Sequence, residues 1–321
     1  MEYRRLGRAG VRVSEIGLGS WLTFGGGIEE KQARACVKRA LDSGINFFDT
    51  ADVYNRGEAE EALARMLKGV RRQELVLATK CFWPMSDDPN DRGLSRKHIF
   101  ESVHNSLKRL RTDYLDLMQC HRYDPQVEMD EVVRAMDDLV RQGKTLYWGV
   151  SEWPAEKIRE ACELCRRSGA ALPVSEQPEY SIAARRVETN GVQAACAELG
   201  VGMVVWSPLK QGVLSGKYSG GKLPKQSRGA SRKMNGYWGK LHENKALLEK
   251  VDALRPIAER HKITLSQLAI AWLLGRPAVS SVIIGASRPS QVDENVGAVE
   301  ARLTAEDLAE IDRLFPAGEH P

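Results

Sequence analysis

The sequence predicts an α/β fold: a (β/α)8 TIM barrel with an N-terminal β-hairpin and a long loop after the seventh strand. Three observations carry this reading. Short apolar runs alternate with amphipathic segments of helical period along most of the chain, the order expected of a parallel sheet. The runs number eight, which favours closure into a barrel over an open, doubly wound sheet. No linker or shift in composition divides residues 1–321, so they read as one barrel domain.

The hairpin comes first, over residues 3–14, with Gly7 to Gly10 at its turn. Strand-like runs follow at 16–19, 46–49, 75–80, 114–120, 145–151, 174–177, 202–206 and 282–285. Apolar residues at helical spacing occupy 29–43, 58–68, 95–110, 128–142, 154–168, 192–199, a longer region over 243–274, and 289–299. Ser95 stands as a start signal before Arg96, and Thr264 as the N-cap of a helix over Leu265–Leu274. Gly44, Gly69, Gly143, Gly169 and Gly200 sit where a helix-ending glycine belongs. Residues 207–241 form the one long irregular stretch, rich in Gly, Ser, Lys and Arg. Loops of that length inside compact domains are usually functional or disordered. In a barrel this one follows the seventh strand, on the face where ligands bind.

Composition excludes several classes of function. At 42% hydrophobic and 28% charged, the chain is an ordinary globular one. Its formal charge of +4 is spread, not gathered in a block, and no recognition motif accompanies it, so nucleic acid is not an expected partner. The start carries no apolar stretch of the secretory kind, and the longest clear apolar run, 201–206, is far too short to span or insert into a membrane. Six scattered cysteines argue against a disulfide scaffold and fit a reducing cytoplasm. Cys162 and Cys165 form a CxxC on a predicted helix. With no second pair at zinc spacing they read as two small apolar residues on one helix face, and no metal is expected.

Gly17-Leu18-Gly19 imitates the start of a dinucleotide fingerprint, but the position of its third glycine is Leu22. Any nucleotide must therefore be held in another way. Four residues at or just after strand ends form the more telling set: Asp49, Tyr54, Lys80 and His121. Taken singly, each has an ordinary reading as a cap, a packed ring or a solvated charge. Jointly, on strands two, three and four of a barrel, they converge on one mouth. Reduction of a carbonyl needs a hydride and a proton. A phenol at its usual pKa of about 10 is a reluctant acid, and a neighbouring ammonium favours its ionised form. Lys80 is placed to do this for Tyr54, Asp49 to hold Lys80 by a charge-assisted hydrogen bond, and His121 to orient the carbonyl.

The run from Asn46 to Tyr54, Asn-Phe-Phe-Asp-Thr-Ala-Asp-Val-Tyr, resembles the signature of the aldo-keto reductase family. Lys80 and His121 stand where that family keeps its other two catalytic residues, and the resemblance runs over roughly residues 3 to 315. Trp21-Leu-Thr-Phe-Gly-Gly, Arg92-Gly-Leu-Ser-Arg-Lys-His-Ile, Tyr147-Trp-Gly, Glu176-Gln-Pro-Glu-Tyr180 and Leu214-Ser-Gly-Lys-Tyr218 are most similar to the branch containing the voltage-gated potassium channel β-subunits and their bacterial relatives. The resemblance implies NADP(H) lying across the barrel mouth. It implies Trp206 against the nicotinamide, with Ser20, Trp21 and Asp49 among the contacts, and Ser151, Glu152 and Gln177 on the carboxamide side. Ser207, Pro208, Leu209, Lys210 and Gln211, with Lys217 and Arg228, would cover the pyrophosphate. Gly285, Ser287 and Arg288 would take the 2′-phosphate at a helix start, and Gln291, Glu294 and Asn295 the adenine side.

Two departures bear on function. Glu152 stands where much of the family has Asn and the channel branch Arg, and position 121 is His where the channel β-subunits carry Asn. The second departure points to a working reductase of small-molecule carbonyl substrates, with Trp21, Phe82 and Trp83 lining an apolar pocket. The alternative is a nicotinamide-sensing regulatory β-subunit of an ion channel with little turnover. The given chain shows no long N-terminal extension of the sort such regulators often carry. A homotetramer is implied by resemblance alone.

Overall fold

Eight parallel strands close on themselves in the computed structural model, which describes residues 1–225, 227–230 and 241–318, and of Arg228 the backbone alone. The strands are β3 (Ile16–Gly19), β4 (Phe47–Asp49), β5 (Val76–Cys81), β6 (Leu115–Cys120), β7 (Thr145–Val150), β8 (Ser175–Glu176), β9 (Gly202–Val205) and β10 (Val279–Ile284). They pair in sequence order, and β10 closes the ring on β3 with Val282 opposite Ile16. Ahead of them, β1 (Tyr3–Arg5) and β2 (Arg12–Ser14) form the foreseen antiparallel hairpin.

The two-residue period of each strand decides what faces inward. Phe47, Val76, Ala78, Leu117, Val204 and Ile283 make an apolar cluster that includes Leu6, Ala9 and Val13 of the hairpin. The hairpin is therefore a plug in the N-terminal end of the barrel. Gly7 shows how tightly it seats: a Cβ there would lie 2.4 Å from the Gly200 carbonyl, and its φ is +55°. Phe48, Leu77, Cys81, Met118, Cys120 and Val205 point the other way and join the core beneath the helices. Moving one strand period toward the C-terminal ends carries the inward face from Phe47 to Asp49, from Ala78 to Lys80 and from Leu117 to Gln119. An apolar floor thus supports a polar layer.

Helices pack around the outside: α1 (Glu30–Asp42), α2 (Glu58–Met66), α3 (Arg96–Leu110), α4 (Met129–Arg141), α5 (Ala155–Ser168), α6 (Arg186–Thr189), α7 (Val192–Leu199), α8 (Lys245–Asp252), α9 (Arg255–Arg260), α10 (Leu265–Leu274), α11 (Pro289–Val296) and α12 (Ala305–Leu314). On α4 the buried side chains are Met129, Val132, Val133, Ala135, Met136 and Leu139, the apolar stripe that a helix lays against a core. Ser95 accepts from the His98 amide and Thr264 forms a full capping box with Gln267, as their positions foretold. The five helix-ending glycines all adopt positive φ.

Several boundaries differ from expectation, each for a local reason. The single region over 243–274 divides into α8, α9 and α10. Pro256 can enter only the first turn of a helix, and Lys262 at φ 54° ends α9 before the Thr264 cap. The last strand begins at Val279, three residues early, and α11 stops at Val296 before a 3-10 turn over Gly297–Glu300. The long loop carries 3-10 turns at Lys210–Ser215, Ser219–Gly221 and Arg228–Ala230. Helix α12 was not expected, although Thr304 and Asp307 form a capping box. Cys162 and Cys165 are both buried on α5, and burial pushes the Cys165 thiol up to about 12. No helix among the described residues is long and apolar enough to cross a membrane.

Leu6 is fully buried in the plug. Leu6→Ala should lower unfolding stability in urea by about 2–5 kcal/mol, the usual cost of a cavity that cannot collapse.

Candidate active site

Lys80 lies in the polar layer and is fully buried. Taking an ammonium out of water costs several kcal/mol unless partners replace the water. An ammonium has three donors. Lys80 Nζ gives one to Asp49 Oδ2 at 2.6 Å, one to the Thr50 carbonyl at 2.7 Å and one to Tyr54 Oη at 3.3 Å. Asp49 is equally constrained, since its other oxygen accepts from Gln177 Nε2 at 2.9 Å. Side chains of β4, β5 and the segment after β8 thus lock together across the barrel interior.

Tyr54 reaches this group from a turn. After β4, the chain runs through Asp52, whose amide donates to the Lys80 carbonyl at 3.1 Å, into a 3-10 turn at Tyr54–Gly57. Asn55 and Arg56 lie in the left-handed region at φ 49° and 52°, a strained pair that needs anchoring. Anchors are present. The Asn55 side chain donates to the Gly25 carbonyl and to Glu58, and the buried Asp52 carboxyl accepts from Ser102 Oγ of α3 at 2.7 Å. Burial pushes that Asp52 carboxyl up to about 7, with Ser102 opposing.

The electrostatics have a definite sense. Burial raises the Tyr54 phenol above its usual range, and the Lys80 ammonium offsets only part of this. The sign expected of Lys80 holds, but burial and Asp49 outweigh it. Burial pulls the Lys80 ammonium down, yet Asp49 and Tyr54 more than compensate and its pKa is raised. His121 is held well below the usual imidazole range by burial, then by Lys80 and Arg122, so it is neutral at pH 7. Its ring stands 5.8 Å from that of Tyr54, edge to face, and its Nδ1 is buried with no partner among the described residues.

These groups border a cavity of about 780 Å³ at the C-terminal ends of the strands. Tyr54, His121, Ser151, Gln177, Trp21, Trp206 and Trp83 all line it, together with Arg122, which the sequence reading passed over. Phe82 is not among its walls. It packs edge-on against Trp83 at 5.1 Å, a supporting role in place of the lining role expected. Ser151 donates to the Gln177 carbonyl at 2.8 Å, and Ser20 to Thr50 Oγ1 at 2.8 Å.

Glu152 turns toward the protein. In a left-handed conformation at φ 57°, it accepts from the Trp206 indole Nε1 at 3.0 Å, from the Glu179 amide and from Arg186 at 2.7 Å. Glu179 in turn accepts from Lys210 Nζ at 3.0 Å. The segments after β7, β8 and β9 are braced together, and Trp206 is the ring they hold. Beyond it, Ser207, Lys210, Gln211 and Gly212 all have positive φ. Gly212 has no side chain to block Lys217, whose Nζ lies 2.5 Å from where a Cβ would be. Pro208 is buried and Leu209 half-buried against the core. At the rim after β10, the Ser287 amide and hydroxyl donate to Gln291 at 2.8 and 3.1 Å. Gly285 and Arg288 are exposed, Glu294 is half-buried and Asn295 is buried. The Arg228 side chain lies outside the described residues.

Glu152→Ala would strand a partly buried indole N–H and a backbone amide. Unfolding stability should fall by about 1–3 kcal/mol. Glu152→Gln, which keeps an acceptor for Trp206, should lose less in the same urea titration.

A sequence model described as "Aldo/keto reductase family" matches residues 15–315. Among curated proteins, a probable voltage-gated potassium channel subunit beta from Oryza sativa subsp. japonica is 42% identical, with 98% of this chain and 96% of that protein covered. A protein of the same description from Arabidopsis thaliana is 45% identical, covering 94% and 92%. A putative voltage-gated potassium channel subunit beta from Schizosaccharomyces pombe is 43% identical, covering 98% and 93%. With its closed barrel, its buried Asp49–Lys80 pair bonded to Tyr54 and these matches over nearly its full length, the chain belongs to the aldo/keto reductase family.

Proposed function

We propose that the protein is an NADPH-dependent reductase of aldehydes and ketones in which Tyr54 donates the proton. One observation carries this reading: Lys80 donates to the Tyr54 hydroxyl oxygen, which leaves the hydroxyl's own proton to be given elsewhere. Tyr54 lines the cavity, so a carbonyl oxygen held there is the natural acceptor. As negative charge grows on that oxygen, the buried ammonium behind Tyr54 stabilises the phenolate left by proton transfer. His121, being neutral, can offer a ring N–H to the same oxygen without adding a competing acid.

The residues suit the cofactor. Ser207 Oγ and Gln211 Nε2 are buried without partners among the described residues, which is costly unless a ligand supplies them. Trp206 would meet the nicotinamide, with Ser20, Trp21 and Asp49 nearby, and Ser151 and Gln177 the carboxamide. Glu152 acts through Trp206. Residues 207–211, Lys217 and Arg228 would hold the pyrophosphate. Gly285, Ser287 and Arg288 would hold the 2′-phosphate, and Gln291, Glu294 and Asn295 the adenine. When bound, NADPH supplies the hydride. We place the protein in a reducing cytoplasm, a reading supported by six cysteines that are all unpaired and buried.

A second reading draws on the names of the three relatives: a channel β-subunit that senses the nicotinamide state and turns over slowly. Steady-state reduction of 4-nitrobenzaldehyde by NADPH separates the two. Sustained turnover supports the reductase, and a single rapid turnover followed by negligible flux supports the sensor.

Tyr54→Phe should cut kcat by at least ~100-fold, the usual worth of a positioned acid, with NADPH affinity little changed. Retention of activity would remove Tyr54 as donor. Because the phenol pKa is raised, the donating form persists below it and is lost as pH rises through it. The profile of kcat/KM should therefore lack a fall on the alkaline side until above about pH 10.

A further inference from the structure

Arg122 follows His121 directly and lines the same cavity. Its Nη1 donates to the His121 carbonyl and, at 3.4 Å, to Ser151 Oγ. Its guanidinium stands over the Trp83 ring at 5.7 Å. Among the described residues Arg122 makes no ion pair, and its Nε and Nη2 make no hydrogen bond. Other arginines of this chain with comparable burial, such as Arg72 and Arg109, each meet a carboxylate at 2.6 Å.

The acids around the cavity do not neutralise Arg122. Glu58 lines the mouth but is held by Asn55. Glu176 is fully buried, burial pushes its carboxyl well above the usual range, and among the described residues it makes no ion pair with Arg122. Glu152 is spent on Trp206, Glu179 and Arg186. A half-buried guanidinium with an unused edge, set in an aromatic-walled cavity beside the candidate acid, lacks only an anion. Its planar fork matches a carboxylate with two parallel hydrogen bonds.

We infer that the preferred substrates are carbonyl compounds that also carry a carboxylate, with Arg122 binding the carboxylate while Tyr54 and His121 hold the carbonyl. This rests on the reductase reading and adds the substrate class to it. Arg122 is the specificity-determining residue and takes no part in proton transfer.

The test compares two aldehydes of the same shape, 4-carboxybenzaldehyde and its methyl ester, in the NADPH-loaded protein and in Arg122→Gln. The acid should exceed the ester in kcat/KM by about tenfold, some 1.4 kcal/mol. In Arg122→Gln the ratio should fall to near one. A ratio near one in the unaltered protein overturns the inference. So does a preserved ratio in the variant, or an equal loss for both aldehydes traced to weaker NADPH binding. If neither aldehyde turns over, the reductase reading fails and the inference is judged by binding. Tryptophan fluorescence should then report 4-carboxybenzyl alcohol binding to the unaltered protein and a loss of about tenfold in Arg122→Gln. Equal binding to both overturns it.

Discussion

Everything in the polar layer depends on one buried ammonium. Lys80 sits above an apolar floor with no access to water, and its three acceptors come from a carboxylate, a backbone carbonyl and a phenol. Asp49 and Thr50 are consecutive at the end of β4 and Tyr54 follows in the turn beyond, so satisfying one charge ties that stretch of chain to β5. Gln177 then fixes Asp49 from the far side of the barrel. Removing any member leaves a charge or a dipole unmatched in a low-dielectric interior, where such mismatches cost most.

The fold was legible because its signals are local and repetitive. Eight apolar runs were enough to count strands, and caps such as Thr264 mark their helices through side chains only three residues apart. Boundaries were less legible where tertiary pairing overrides local pattern. Val279 joins its strand because β9 is there to pair with it, and its partner Met203 is distant in sequence. The four-residue site was legible for a different reason. Strand parity and strand ends forced Asp49, Lys80 and His121 to one mouth, and the run ending in Tyr54 carried the family resemblance. What could not be read were directions of side chains on loops. Glu152 reaches Trp206 from a left-handed conformation that no periodic pattern announces, and among the described residues Arg122 is left without a carboxylate. Phe82 and Trp83 are adjacent, yet one supports the cavity and the other walls it.

The relatives place this chain beside proteins named for a channel, while its own residues arrange a phenol beside a buried ammonium, a neutral imidazole and a cavity. Those two facts are compatible. A barrel keeps its scaffold in the floor and the helices, and its ligand chemistry in the segments after the strands. The Glu152 brace lies in those segments.

The hairpin at the opposite end bears on how far the cavity can reach. Because Leu6, Ala9 and Val13 stopper the barrel and Gly7 seats against backbone, the barrel has a packed floor at its N-terminal end. The cavity at the other end is backed by that floor, so its depth stops at the polar layer.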